Sequence, residues 1–584
     1  MAPQKEKEHE QEHWLSRYAS NYHAWRTEQP LRGGKKVFTR PLGLVEYSFD
    51  TDGSDYGGRA DMNALFTLEI AHCLPSNEAF RRRIALAWAS LRLQHVMLMS
   101  RVREDEKSGT KRFVVDVPRS AEEAVEQAMR GIVWVEDFVD GEVDGVELHR
   151  HCLNVGRVIE PETCLSKLHV LPLVELPGGR TFELRFLIVM AHQISDGLAA
   201  YNWFSHFVRI LNMSAREIER EIEWFREEGR MRARLPPAQE DLYPRIAGNK
   251  ARQRWFWAIM RVLRHVRKTL PPTFTNPLRR SERLPQAPAL RPTFSKLFDY
   301  SVASKPPMNS GHCSVALSKA ASTRLIALCR SINASIGAGC FALAGLSMME
   351  LHESLHPNIP LPQRHAFAAS FPLNPRAFFG FNTPADSCML AFSDGIVMPF
   401  LTSSLPVEGR FKLIARQANR GLRAYQKRLK GRETSGGLLD PHSPGRLLAN
   451  GYLFQLERVE SKLPPSRRTG INPQGALPAK TFMAGATCGV SSVGSTAAFF
   501  KPGMYDLGQV GRGEGTKDFS ADFRGLKMGV RARENEFLVG SSTDADGIVG
   551  FGVSYDANAI SEQAAEMWAE KIRSLLEVED RPKL

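Results

Sequence analysis

Residues 181–211 read TFELRFLIVMAHQISDGLAAYNWFSHFVRIL and constrain the fold more than any other stretch of the chain. Phe182, Leu184 and Phe186 alternate with Glu183 and Arg185, the period-two pattern of a half-wet strand. From Leu187 to Ala191 both faces are apolar, so the strand runs on into a dry interior. At that dry end stand His192, Asp196 and Gly197, an H-x-x-x-D-G string, and a helix-like run begins at Leu198. With 16 His, 64 acidic residues and 45 Gly in 584 positions, ~0.14 His-xxx-acid-Gly strings arise by chance. The string alone is modestly specific, and the strand before it and the helix after it raise its weight. A histidine there is placed as a general base in a channel would be.

A length of 584 residues exceeds one ordinary core and predicts two domains of roughly 200 to 300 residues. With 43% hydrophobic and 24% charged residues the composition is globular. The net charge of +13 favours an anionic partner, whether nucleic acid, acidic lipid or a phosphorylated small molecule. No RNA-binding aromatic signature, zinc finger or dense basic tract singles out nucleic acid. The eight cysteines are scattered without a C-x-x-C pair, and read as reduced core residues of a cytosolic protein. The opening MAPQKEKEHEQEH has no apolar h-region, so no secretory signal is expected. Residues 334–349 are too short for a membrane span and rich in Gly, Ala and Ser, which predicts a closely packed core helix.

Several local strings carry weaker signals. Residues 1–30 read as a charged helix with Trp14, Tyr18, Tyr22 and Trp25 at near-helical spacing. Within it His9 and His13 match the zinc-protease string H-E-x-x-H, rejected because a frayed, charged terminus supplies neither a third ligand nor a dry cavity. His149, His151 and Cys152 cluster in sequence and read as a solvated loop, with no fourth ligand in view. Residues 252–270 form an amphipathic basic helix, with Trp255, Ile259, Val262, Leu263 and Val266 on one face. The expectation is a surface helix packed on its own domain; weak contact with an anionic membrane surface is its other use. Residues 271–309 are rich in Pro and basic residues and read as a linker between residues 1–270 and 310–584. The two halves share a strand–helix–strand grammar, as in a pseudo-dimer, without a residue-level repeat. Gly511, Gly513 and Gly515 form a G-x-G-x-G loop outside any strand–glycine–helix context, and so no nucleotide cradle.

The H-x-x-x-D-G string after a core strand resembles that of the chloramphenicol-acetyltransferase-like superfamily, which includes CoA-dependent acyltransferases and the condensation domains of peptide synthetases. Gly489-Val490-Ser491-Ser492-Val493-Gly494 is similar to the family's hydrophobic-Ser-Asn-x-Gly stretch, with Ser492 where Asn is common. The ending GIVGFGVSYDANAISEQAAEMWAEKIRSLL resembles its last strand and helix. The opening FTRPLGLVEYSFDTDGSDYGGRADMNALFTLEI is most similar to fungal secondary-metabolite O-acetyltransferases of the trichothecene 15-O-acetyltransferase type. The plant-type D-F-G-W-G motif is missing; Asp506-Leu507-Gly508 and Asp522-Phe523-Arg524-Gly525 are poor substitutes. Ala191 stands where peptide-synthetase condensation domains carry a second histidine.

The resemblance implies an α/β protein of two acyltransferase lobes arranged as a pseudo-dimer, 1–270 and 310–584, with a channel between them. It implies a cytoplasmic monomer with no resident cofactor or metal, using acetyl-CoA or another acyl-CoA as co-substrate and a small hydroxylated acceptor. His192 is then the general base, its ordinary pKa near 6.5 suiting it to take an alcohol proton. Asp196 fixes the loop through an arginine, for which Arg92, Arg101 and Arg376 are the candidates. Gly197 leaves room for the pantetheine arm, and Ser491 supplies a hydroxyl to the tetrahedral oxyanion. A stand-alone condensation-type enzyme with a carrier-bound donor and a non-catalytic binding module are the alternatives.

Overall fold

The structure is a computed structural model. It describes every residue except 1–13, 30–33, 107, 268–270, 287–288, 303–306, 382, 394, 426–439, 441, 481–485, 512–516 and 578–584. The H-E-x-x-H string and Gly513 and Gly515 therefore lie outside the described residues. Gly511 stands in a turn at φ +72°.

Two six-stranded sheets organise the chain, each beside its own apolar core. In the first, the Met62–His72 strand lies between the Phe182–Met190 and Phe519–Val530 strands, antiparallel to both. Ser166–Val170 and then Ile132–Trp134 extend the sheet beyond Phe182–Met190. Leu184, Phe186 and Leu187–Met190 are buried, as expected of a strand that enters a dry interior. The Asn77–Gln94 and Gly197–Leu211 helices pack against each other in this half, both capped by side chains. Ser76 Oγ accepts from the Ala79 amide and Asp196 accepts at the start of the second helix, satisfying amides that a helix leaves open.

The second sheet runs Ser310–Ala316, Val549–Asp556, Phe537–Thr543, Cys488–Ser495, Phe367–Ser370, Ile396–Met398. Its middle pairings, Phe537–Thr543 with Cys488–Ser495 and Cys488–Ser495 with Phe367–Ser370, are parallel. Parallel strands need cover on both faces, and the apolar Ile336–Leu355 helix supplies part of it. That helix contains the Gly/Ala-rich run expected to be core. Among the described residues no single helix is long and apolar enough to cross a membrane.

The cores do not follow the boundaries 1–270, 271–309 and 310–584. One neighbour of Met62–His72 comes from late in the chain, Phe519–Val530. Trp14, Tyr18, Trp257 and Met260 from the first 270 residues are buried in the second core. Phe274, from the expected linker, joins them, whereas Phe294 and Phe298 belong to the first core.

Two local expectations are corrected. His149, His151 and Cys152 are not in a solvated loop but in the Gly145–Cys152 helix, capped by Asp144, with all three buried. Leu148 and Cys152, four apart, supply the apolar face that draws the turn inward, and His151 bonds Glu147 and Tyr300. The basic helix spans Lys250–His265, but it packs through Trp257, Met260 and Arg264, the last held by Glu457. Of the predicted stripe, Trp255, Val262 and Val266 point outward, 68%, 46% and 60% exposed, while Leu263 packs against the second core.

Candidate active site

His192 occupies the first turn after the Phe182–Met190 strand, and its ring is half-buried. Phe49, from the Leu44–Asp55 helix, stacks on it at 4.0 Å between ring centres and 3° between planes. Nδ1 is buried without a hydrogen bond, while Nε2 has no partner among the described residues and keeps accessible surface. Burial lowers the ring's pKa from 6.5; the nearby backbone of His192 itself and of Ser195, and the Asp196 charge, oppose this, and Arg533 adds to it. The ring is therefore neutral at pH 7, with one nitrogen open. That is the state a proton acceptor needs.

Asp196 is fully occupied elsewhere. Oδ1 accepts from the Leu198 and Ala199 amides at 3.1 and 3.0 Å, capping the helix that follows. Oδ2 accepts from Arg376 Nη2 at 2.6 Å and from the Met389 amide at 3.0 Å. Of the three candidate arginines, Arg376 is the partner. Arg92 is buried against the Leu98 and Gln127 carbonyls, and Arg101 meets Asp116. With both oxygens committed to four donors, Asp196 makes no hydrogen bond to the His192 ring. It joins the lobes instead, because Arg376 and Met389 come from the second half of the chain. Around it Arg376 also donates to the Ser387 carbonyl, and the Cys388 amide donates to the Ile194 carbonyl at 3.1 Å.

Gly197 begins the helix. A Cβ built on it would meet only Val493 Cγ1, at an ordinary 3.8 Å, so the space beside it is open. Val493 belongs to the Cys488–Ser495 strand of the second sheet, which brings that strand to the H-x-x-x-D-G turn. Ser491 and Ser492 alternate on this strand. Ser492 Oγ lies 3.4 Å from a Cβ position on Gly337, under the Ile336–Leu355 helix, so Ser491 faces the other way, with its side chain half-buried. A register shift follows immediately, between Ser492 and Gly494.

Behind Phe49 lies a charged layer that the sequence did not disclose. The Arg533 guanidinium stands 5.7 Å from the Phe49 ring centre and donates to Asp52 Oδ2 at 2.5 Å. Lys462 Nζ reaches the same oxygen at 2.5 Å and Ser48 Oγ at 3.0 Å. Burial raises the Asp52 carboxyl, but Arg533 and Lys462 outweigh it and hold its pKa at about 2. Burial, with Arg458 and Arg533 nearby, pulls Lys462 down to about 7. Only aromatic character marks Phe49 in the sequence, and nothing there links it to Arg533. No described cluster of His, Cys, Asp or Glu could hold a metal ion.

No family model matches the sequence, and neither does any curated protein. Among solved structures the chain is similar to TRI3 trichothecene 15-O-acetyltransferase from Fusarium sporotrichioides. The identity is 12% and the TM-score 0.62, over 95% of this chain and 97% of that one. The condensation domain of the monacolin K polyketide synthase MokA matches 92% of this chain and 96% of its own at 12% identity, with a TM-score of 0.49. At such identity the likeness to TRI3 is one of fold: a mixed α/β chain of two lobes.

Proposed function

We propose that the chain is a CoA-dependent O-acyltransferase that moves an acetyl or short acyl group to a hydroxyl of a hydrophobic secondary metabolite, such as a trichothecene-like terpenoid. The observation that carries the reading is the neutral His192 ring with an unpartnered, accessible Nε2 beside a strand of the second lobe. The likeness in fold to an acetyltransferase supports the reaction class. In this reading Nε2 takes the alcohol proton as the oxygen attacks the thioester carbonyl. Ser491 donates to the resulting oxyanion, worth about 2 to 4 kcal/mol when well aimed. The C–S bond then breaks, and the CoA thiolate recovers the proton from His192, leaving an ester and free CoA. Asp196 keeps the turn in shape without touching the ring, and Gly197 leaves space for the pantetheine arm. Acyl-CoA is a co-substrate and not a resident cofactor.

The test is incubation with acetyl-CoA and a panel of hydroxylated terpenoids and polyketides, read by mass. His192→Ala should lower turnover at least ~10²-fold; unchanged turnover removes His192 from the reaction. Transfer from an acyl-carrier protein but not from acetyl-CoA would favour the condensation-type alternative. Weak contact of the Trp255, Val262 and Val266 face with anionic lipid belongs to the same proposal, and co-sedimentation with phosphatidylserine vesicles, lost in Trp255→Ala, tests it.

A further inference from the structure

The helix that begins at Gly197 carries a second imidazole, His206, nine residues on and so ~13 Å further along its axis. This ring ends a chain of side-chain contacts. Asp386 Oδ1 accepts from Trp203 Nε1 at 2.8 Å and lies 2.5 Å from His95 Nδ1. His95 Nε2 in turn lies 2.8 Å from His206 Nδ1. A carboxylate can only accept, so His95 carries a proton on Nδ1. In the arrangement in which neither ring carries a charge, His95 Nε2 is a lone pair that accepts from His206 Nδ1–H. His206 Nε2 is left as a lone pair, without a protein partner among the described residues. Burial, with His95 and Arg209 acting in the same direction and Asp386 against them, lowers the His206 pKa to about 4.

His206 lines a cavity of about 150 Å³ between its helix and residues 499–505. Phe499, Phe500, Tyr505 and Phe523 give it aromatic walls, and Phe500 and Phe523 stack on each other at 4.5 Å. Its charged neighbours are mostly committed. Arg209 bonds Gln94 and Glu221, and Asp522 accepts from the Gly503 and Tyr505 amides and pairs with Arg524. Lys501 stands exposed at the rim, and Ser205 lines the wall beside His206. An apolar cavity of this volume is large enough for one benzene ring. The His206 nitrogen, the imidazole acceptor in its wall, calls for a donor on that ring.

We propose that this cavity is a binding site for a single-ring aromatic alcohol, its hydroxyl donating to His206 Nε2, separate from the reaction centre at His192. The aromatic walls take the ring, the Asp386–His95 chain fixes which nitrogen accepts, and Lys501 favours the partial negative charge on the phenolic oxygen. The site depends on none of the residues assigned to acyl transfer.

Calorimetric titration of the full chain at pH 7.5 with phenol and with fluorobenzene, its near-isostere without a donor, tests the proposal. Phenol should saturate below about 10 mM and bind about tenfold more tightly than fluorobenzene. His206→Phe should abolish that preference, and His192→Ala should keep it. Equal affinity for the two ligands, a preference that survives His206→Phe, no saturation by phenol, or loss of phenol binding in His192→Ala would each overturn it. The comparison of the two ligands on the unaltered protein needs no variant to fold.

Discussion

His192 and His206 flank the start and the far part of one helix, and they are held by opposite means. Both rings are half-buried, and burial lowers both pKa values. Among the described residues no side chain hydrogen-bonds His192: a tight turn, a stacked Phe49 and nearby backbone set its position. His206 is oriented entirely by other side chains, through His95 to Asp386. The difference teaches what each nitrogen is suited for. A ring without a charged partner gains and loses a proton without leaving another group unpaired, which a turnover cycle requires. A ring locked in a three-member chain keeps one tautomer and acts as a fixed acceptor.

The contrast can be broken at the His192 end first. Arg376→Ala strands the Asp196 carboxylate, buried with its remaining partners, and should cost about 3–5 kcal/mol in denaturant unfolding. The His95 and His206 imidazole resonances should keep their shifts in the folded variant; a loss under about 1 kcal/mol would mean that the turn does not depend on its cross-lobe ion pair. A smaller effect belongs to the layer behind Phe49. The folded pKa of Asp52, about 2, lies below the unfolded value, so its pairing contributes stability above pH ~4 that is lost as pH falls towards 2. That limb amounts to about 2 kcal/mol, and Asp52→Asn should flatten it in acid titrations of unfolding.

The remaining two variants sharpen the comparison without unfolding the protein. In the proposed reaction the neutral ring is the competent base, so turnover should fall with acid through a midpoint below 6.5. Phe49→Ala admits water to the ring and should move that midpoint upward; a midpoint that stays in place in kcat/KM profiles would assign the shift to something other than burial. Gly197→Ala should be nearly silent in stability, within ~0.5 kcal/mol, because only Val493 is near the added methyl. A rise in KM for acetyl-CoA in that variant would locate the donor arm beside Gly197, and an unchanged KM would remove it from there.

What could be read from the sequence divides along the same line. The groups that place His192 and Asp196 are mostly neighbours in sequence: the strand before, the cap at Leu198 and Ala199, the helix after. A string of six residues can carry that much. Arg376 stood among three candidates, and only the folded chain, which closes 180 positions, separates it from Arg92 and Arg101. The Asp386–His95–His206 chain spans separations of 291 and 111 positions and leaves no periodic trace. Helical phase is ambiguous in one place: within residues 250–265 Trp255 and Val262 face solvent, whereas Trp257, Met260 and, from the predicted stripe, Leu263 meet the second core. A period identifies a helix face but not which of two faces meets the body.

The pairing of Phe519–Val530 with Met62–His72 has a bearing on how this molecule comes into being. On the ribosome the first sheet emerges with one border bare, and its missing neighbour is translated only after most of the remaining chain. Until then the exposed border is a site for mispairing or for chaperones. A fragment ending before residue 519 should therefore be insoluble, however complete its H-x-x-x-D-G string.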